Sequence, residues 1–250
     1  IVVRGNIVHD NNNGLFMGTG GSTDLSQRVL IEGNFIHSNG SLTDYYHHNV
    51  YNEVSGVTYQ FNRFGEPRAG ASGDVLGANI KERSAGVTIR YNWIESGNRQ
   101  LDLVDSDHAE LNSDPSYNST FVYGNVLIEP DGAGNSQIIH YGGDSGNTAI
   151  YRKGTLQFYN NTVISTRSGN TTLLRLSTNE ESCDCRNNIV FVTAGGTRLA
   201  LLDGAGQLTL RNNWLNTGYV SSHATLTGTV TNSGGNLTGT LPGFVDFAQQ

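Results

Sequence analysis

The stretch VVRGNIV at residues 2–8 decides the fold, because its pattern returns seven times along the chain. LIEGNFI (30–36), TYQFNRF (58–64), TIRYNWI (88–94), FVYGNVL (121–127), QFYNNTV (157–163), DCRNNIV (184–190) and TLRNNWL (209–215) each carry an Asn at the same place. The shared residue falls at Asn6, Asn34, Asn62, Asn92, Asn125, Asn161, Asn188 and Asn213, with spacings of 28, 28, 30, 33, 36, 27 and 25 residues. Repeats of this length cannot bury an apolar face alone and stack into a solenoid.

The columns around the Asn show what kind of solenoid. Five residues before it stand Ile1, Val29, Val57, Val87, Thr120, Leu156, Cys183 and Leu208, and three before it Val3, Ile31, Tyr59, Ile89, Val122, Phe158, Cys185 and Leu210. The position between them is polar or amphipathic: Arg4, Glu32, Gln60, Arg90, Tyr123, Tyr159, Arg186 and Arg211 lie two before the Asn. Alternation with period two marks a strand with one buried face. Two residues after the Asn, Val8, Ile36, Phe64, Ile94, Leu127, Val163, Val190 and Leu215 form a second buried row, so the Asn sits at a bend. Asn tolerates left-handed backbone at such a corner, and amides stacked roughly 4.8 Å apart can hydrogen-bond up the column. Gly5, Gly33 and Gly124 are expected to permit the same bend.

Composition agrees. Of the 250 residues 32 are Gly and 28 are Asn, both poor in helix interiors, while 36% hydrophobic content suffices for a core in one domain. A net charge of −7 argues against nonspecific nucleic-acid binding, which needs a basic stripe. No run of about 18 apolar residues offers a membrane span. Cys183 and Cys185 fall in core columns and read as buried free thiols, since i, i+2 residues on a strand suit a disulfide poorly. The Asn-X-Ser/Thr matches at Asn39, Asn118, Asn160, Asn170 and Asn236 follow from an Asn/Thr-rich composition. His47 and His48, adjacent in a loop, make a weak metal pair because ligands must converge.

These features resemble right-handed parallel β-helix proteins, the architecture of pectate lyases, polygalacturonases, chondroitinase B and alginate lyases. The expected fold is all-β: a right-handed parallel β-helix of about eight or more coils with an asparagine ladder, forming a single domain over residues 1–250. Ile1 already occupies a core column, and Gly243-Phe244-Val245-Asp246-Phe247 reads as an unfinished coil. The expectation is therefore a fragment lacking its N-terminal cap and some C-terminal coils.

A second strand in each coil aligns by its apolar residues: Val50-Tyr51-Asn52, Ile80-Lys81-Glu82, Leu101-Asp102-Leu103, Ile139-His140-Tyr141, Leu174-Arg175-Leu176 and Leu199-Ala200-Leu201. Alternation turns Tyr51, Lys81, Asp102, His140 and Arg175 outward in one column, where an extended polymer would lie. The insertion between Asn62 and Lys81 and the one after Asp102 are expected to wall a cleft beside it, gathering Asp74, Arg83, Arg99, Asp105, Asp107 and His108.

Three functions suit this column. In β-elimination a base takes the proton alpha to a uronate carboxylate while cations or Ca²⁺ stabilise the enediolate. Asn79-Ile80-Lys81-Glu82-Arg83-Ser84, followed by Thr88-Ile89-Arg90-Tyr91-Asn92, resembles the stretch of chondroitinase B and its alginate lyase relatives that carries the catalytic Lys. The resemblance implies Lys81 as base; the column and the residues gathered beside it add Arg83, Asp102 and His140 as candidates for the catalytic group. Tyr51, Arg99, Arg175, Asp105, Asp107 and His108 would bind substrate, and Asp74 would stand by a Ca²⁺. The family's Arg-His-Gly segment is replaced here by Leu101-Asp102-Leu103-Val104-Asp105, and Asp102 beside Lys81 also reads as a plain ion pair. Hydrolysis by paired carboxylates is the second reading, through Asp102, Asp105 and Asp107 with His108 or His140 nearby. The motif set of polygalacturonases is absent. A non-enzymatic surface adhesin or carbohydrate-binding stalk is the third. The expected partner is an extended acidic polysaccharide met by a secreted or cell-surface protein.

Overall fold

A computed structural model describes residues 1–18 and 24–245. Asp246 and Phe247 of the expected last coil lie outside the described residues. Strands pair in parallel between successive coils and form three sheets of nine, nine and seven strands among the described residues. One coil shows the plan: Ala85–Arg90 joins the first sheet, Trp93–Glu95 the second and Leu101–Leu103 the third. The chain is a parallel β-helix.

The apolar columns become the core. Val57, Val87, Thr120 and Leu156 pair in register along the first sheet, as do Tyr59, Ile89, Val122 and Phe158, and all are buried. Ile36, Phe64, Ile94, Leu127, Val163, Val190 and Leu215 line the second sheet's inner face, also buried. Cys183 and Cys185 are free thiols within these columns.

At the corner between first and second sheets the asparagines form a continuous ladder. Asn92 donates its backbone N–H and its Nδ2 to Asn125 Oδ1, each at 3.0 Å, and sends a further Nδ2–H back to Tyr59 O at 3.0 Å. Each amide thus ties together three coils. The ladder runs from Asn6 and continues past Asn213 to Asn236, a ninth rung hidden in the Thr/Gly-rich tail. One expectation is corrected: the residue before each rung, not the rung itself, carries the left-handed backbone. Those residues are Gly5, Gly33, Phe61, Tyr91, Gly124, Asn160, Asn187, Asn212 and Gly235, with φ between 53° and 70°.

A second, shorter ladder was not anticipated. Asn11, Asn39, Asn49 and Asn79 link amide to amide at 2.8–3.1 Å. Asn39, one of the Asn-X-Ser/Thr matches, is fully buried in it. Its last member immediately precedes Ile80–Glu82, so this ladder fixes the strand that carries Lys81.

Candidate functional site

The third sheet carries the predicted column. Tyr51 pairs with Lys81, Lys81 with Asp102, Asp102 with His140 and His140 with Arg175. Its start is Phe16, paired with Tyr51. Its far end differs from the sequence alignment: Leu174 pairs with Leu202 rather than Leu199, a slip of three residues. The run Leu199-Ala200-Leu201-Leu202 is buried throughout and has no polar residue to mark its register.

Although the column points away from the core, its centre is covered. Lys81, Asp102 and His140 are buried because loops close over them. Lys81 Nζ donates to Asp102 Oδ2 at 2.5 Å and to Asp144 Oδ2. Asp144 also receives Arg83 Nη2, at 2.9 Å on Oδ1 and 3.2 Å on Oδ2. Two cations therefore cradle one carboxylate. Arg83 further donates Nε to Tyr51 Oη at 3.1 Å and Nη1 to the Asp105 carbonyl. Asp105 Oδ1 accepts the Asp144 N–H at 2.7 Å, so Asp105 holds the turn that presents Asp144.

Beside this cradle opens a cavity of about 360 Å³. Lys81, Arg83, Arg99, Asp102, Asp144 and Tyr51 supply its polar wall. Tyr45, Tyr46, His48, Leu76, Ala78 and Asn98 close the rest, the first two well exposed. The walls differ from those expected. Leu76 and Ala78 do come from the insertion before Lys81, but the segment after Asp102 turns into a short helix, Ala109–Asn112. Its Leu111 packs with Tyr117 and Ala85 instead, with Leu25 against them. The loop before Val50 and the turn after Tyr141 take its place.

The remaining predicted residues fall in two groups. His140 stands behind Asp102, its Nδ1 2.8 Å from Asp102 Oδ1 and its Nε2 2.9 Å from Ser177 Oγ, so both ring nitrogens are engaged. Arg99 Nη1 lies 3.6 Å from Asp102 Oδ1. Arg175, Asp107, His108 and Asp74 do not line the cavity. His108 Nε2 lies 3.4 Å from Glu53, while Asp107 and Asp74 are exposed. Among the described residues no group of three or more His, Cys, Asp or Glu is arranged to hold a metal ion. Asp74 therefore belongs to no such group, and the residues around it do not fit a Ca²⁺ site.

Electrostatics follow from burial and the cation pair. Burial alone would raise the Asp102 carboxyl, but Lys81, His140 and Arg99 hold it well below the usual range. Asp144 behaves likewise: burial opposes, and Lys81 and Arg83 prevail. Both are carboxylates at neutral pH. Burial, reinforced by Lys81, pushes the His48 imidazole down to about 3, and its Nδ1 accepts the Ala78 N–H at 2.9 Å. His48 is accordingly neutral with its proton on Nε2, a hydrogen-bond donor rather than a base.

Asp144 is the residue sequence reasoning missed, and His48, read there as half of a weak metal pair, lines the cavity instead. Asp144 sits in a Gly-rich turn, Gly142-Gly143-Asp144-Ser145-Gly146, outside any strand period. Its only signal was an acidic residue in a glycine turn directly after an outward-column strand. Comparison of the chain with protein-family models, with curated proteins and with solved structures returned no match.

Proposed function

We propose that this chain is a secreted or cell-surface protein that binds an extended acidic, uronate-containing polysaccharide in the third-sheet cleft and cleaves it by β-elimination. The observation that carries the reading is the cradle itself: Lys81 and Arg83 already hold a carboxylate, that of Asp144, at the wall of a cavity flanked by exposed tyrosines. A uronate carboxylate has the same charge and fork geometry, and aromatic rings suit the apolar faces of pyranose rings.

In the reaction, Arg83 and Arg99 neutralise the uronate carboxylate, which lowers the cost of building negative charge on the adjacent carbon. The amine of Lys81 takes the proton from that carbon. The released electron pair forms a carbon–carbon double bond, the glycosidic C–O bond breaks, and the Tyr51 hydroxyl gives a proton to the departing oxygen. Geometry sets one condition. Lys81 donates to both Asp102 and Asp144, so it can act as base only once Asp144 withdraws as a carboxylate and the ammonium passes one proton to solvent.

Hydrolysis is less well supported. Asp102 and Asp144 share one ammonium, close enough for the roughly 5–5.5 Å carboxyl separation of retaining enzymes. Both are held ionised, however, whereas a glycosidase needs one carboxyl kept protonated as acid. The test is a panel of alginate, pectate and glycosaminoglycans followed in parallel by ultraviolet absorbance and by reducing ends. Absorbance growth supports elimination; reducing ends alone support hydrolysis; polymer retention without either supports a binding module.

A further inference from the structure

The corner between the first and second sheets carries a pair of residues out of keeping with its neighbours. Of the nine left-handed positions that precede the ladder asparagines, seven hold Gly or Asn and two hold aromatics, Phe61 at φ 57° and Tyr91 at φ 56°. An L side chain there is strained, and bulky residues are the least expected. Both rings are exposed, at 59% and 48%, and lie nearly parallel with centroids 5.6 Å apart. Their mutual stacking recovers only part of the strain of two such backbones. Side chains held on strained backbone cluster where they serve a ligand.

The pair begins a longer row. Tyr91 meets Tyr123 edge-on at 5.5 Å, and Tyr123 stacks on Tyr159 at 4.8 Å, so four rings climb four successive coils. Guanidinium groups flank them: Arg90 lies 6.0 Å from the Tyr91 centroid and donates to Tyr123 Oη at 3.0 Å, and Arg186 lies 4.4 Å over Tyr159. Gly124 has no side chain in the space where the Tyr91 ring rests; a Cβ there would come within 2.6 Å of the ring. A shallow groove of about 350 Å³ runs past Phe61, Tyr91, Arg63 and Trp93.

We infer that this row is a second binding site for an acidic polysaccharide, remote from the cleft, on which sugar rings stack while their carboxylates meet the flanking arginines. A strip one ring wide along the solenoid axis fits a linear chain. It is too narrow for a protein interface, which needs about 800 Å² per partner. The choice of polymer rests on the reading of the cleft; the row itself does not.

The experiment uses the double variant Phe61→Gly, Tyr91→Gly, which installs the residue that other corners already use and so relieves strain rather than creating it. Native electrophoresis through gels containing alginate, pectate or chondroitin sulfate gives the dissociation constants, with unsaturated product assayed alongside. The expected result is about tenfold weaker retention in the double variant at unchanged or higher melting temperature. Retention that depends on the two rings in the absence of any product would uphold this site and remove the elimination reading. Equal retention of wild type and double variant, no retention of the wild type by any of the three polymers, or ring-dependent dimerisation in sedimentation would each overturn the proposal.

Discussion

Asp144 grips Arg83 through both carboxylate oxygens, at 2.9 and 3.2 Å, across 61 residues of sequence. The same carboxylate accepts from Lys81, so one turn of the chain occupies the place proposed for an anionic sugar. The cradle is thus closed by its own acid.

Replacing that acid by a neutral isostere is expected to open the site. Asp144→Asn should bind a uronate oligosaccharide about tenfold more tightly, equivalent to roughly 1.4 kcal/mol, by isothermal titration calorimetry. Unchanged or weaker binding would mean that Asp144 does not compete with substrate. Because its carboxyl is held below the ordinary 3.8, the closed form contributes fully above that value and is lost only as pH falls through the lowered one.

Removing one rung should show what holds the coils together. Asn92 accepts the N–H and one Nδ2–H of Asn62 at 3.0 and 2.9 Å; in Asn92→Ala the buried N–H is stranded and Nδ2 keeps only its bond to Ile31 O. Loss of roughly 3 kcal/mol is expected from urea denaturation, the cost of stranded buried donors exceeding that of the bonds themselves. A loss below 0.5 kcal/mol would contradict the ladder's role.

Glu129 predicts a pH dependence. Burial pushes its carboxyl up to about 8, against the pull of Arg167 at 3.3 Å and Gln100 at 3.2 Å. A carboxyl whose folded value lies above its unfolded value of 4.5 contributes stability below that pH and loses it as pH rises through about 8. The melting temperature of the wild type should therefore fall relative to Glu129→Gln between pH 5 and 8.5. Parallel curves for the two would show that Glu129 is already ionised in the folded chain.

The extent to which sequence disclosed this molecule follows from periodicity. Val57, Val87 and Tyr59, Ile89 announce the first sheet because each column alternates with polar neighbours, and the outward column from Tyr51 to Arg175 is legible for the same reason. Register slipped at Leu199, where apolar residues occupy every position and alternation gives no phase. Asp144 and the Asn39–Asn49 link lie in turns of unequal length, whose placement depends on contacts with other coils. Phe61 and Tyr91 were visible as residues, but their strain needed the backbone.

Elimination with Lys81 as base is tested most directly by ultraviolet absorbance of unsaturated uronate product, comparing wild type with Lys81→Ala on the same polymer while circular dichroism confirms equal folding. The account predicts steady absorbance growth in the wild type, falling by roughly 10²–10⁴-fold in Lys81→Ala, the range for loss of a general base. Full activity in Lys81→Ala, or wild-type cleavage that yields reducing ends without absorbance, would contradict it.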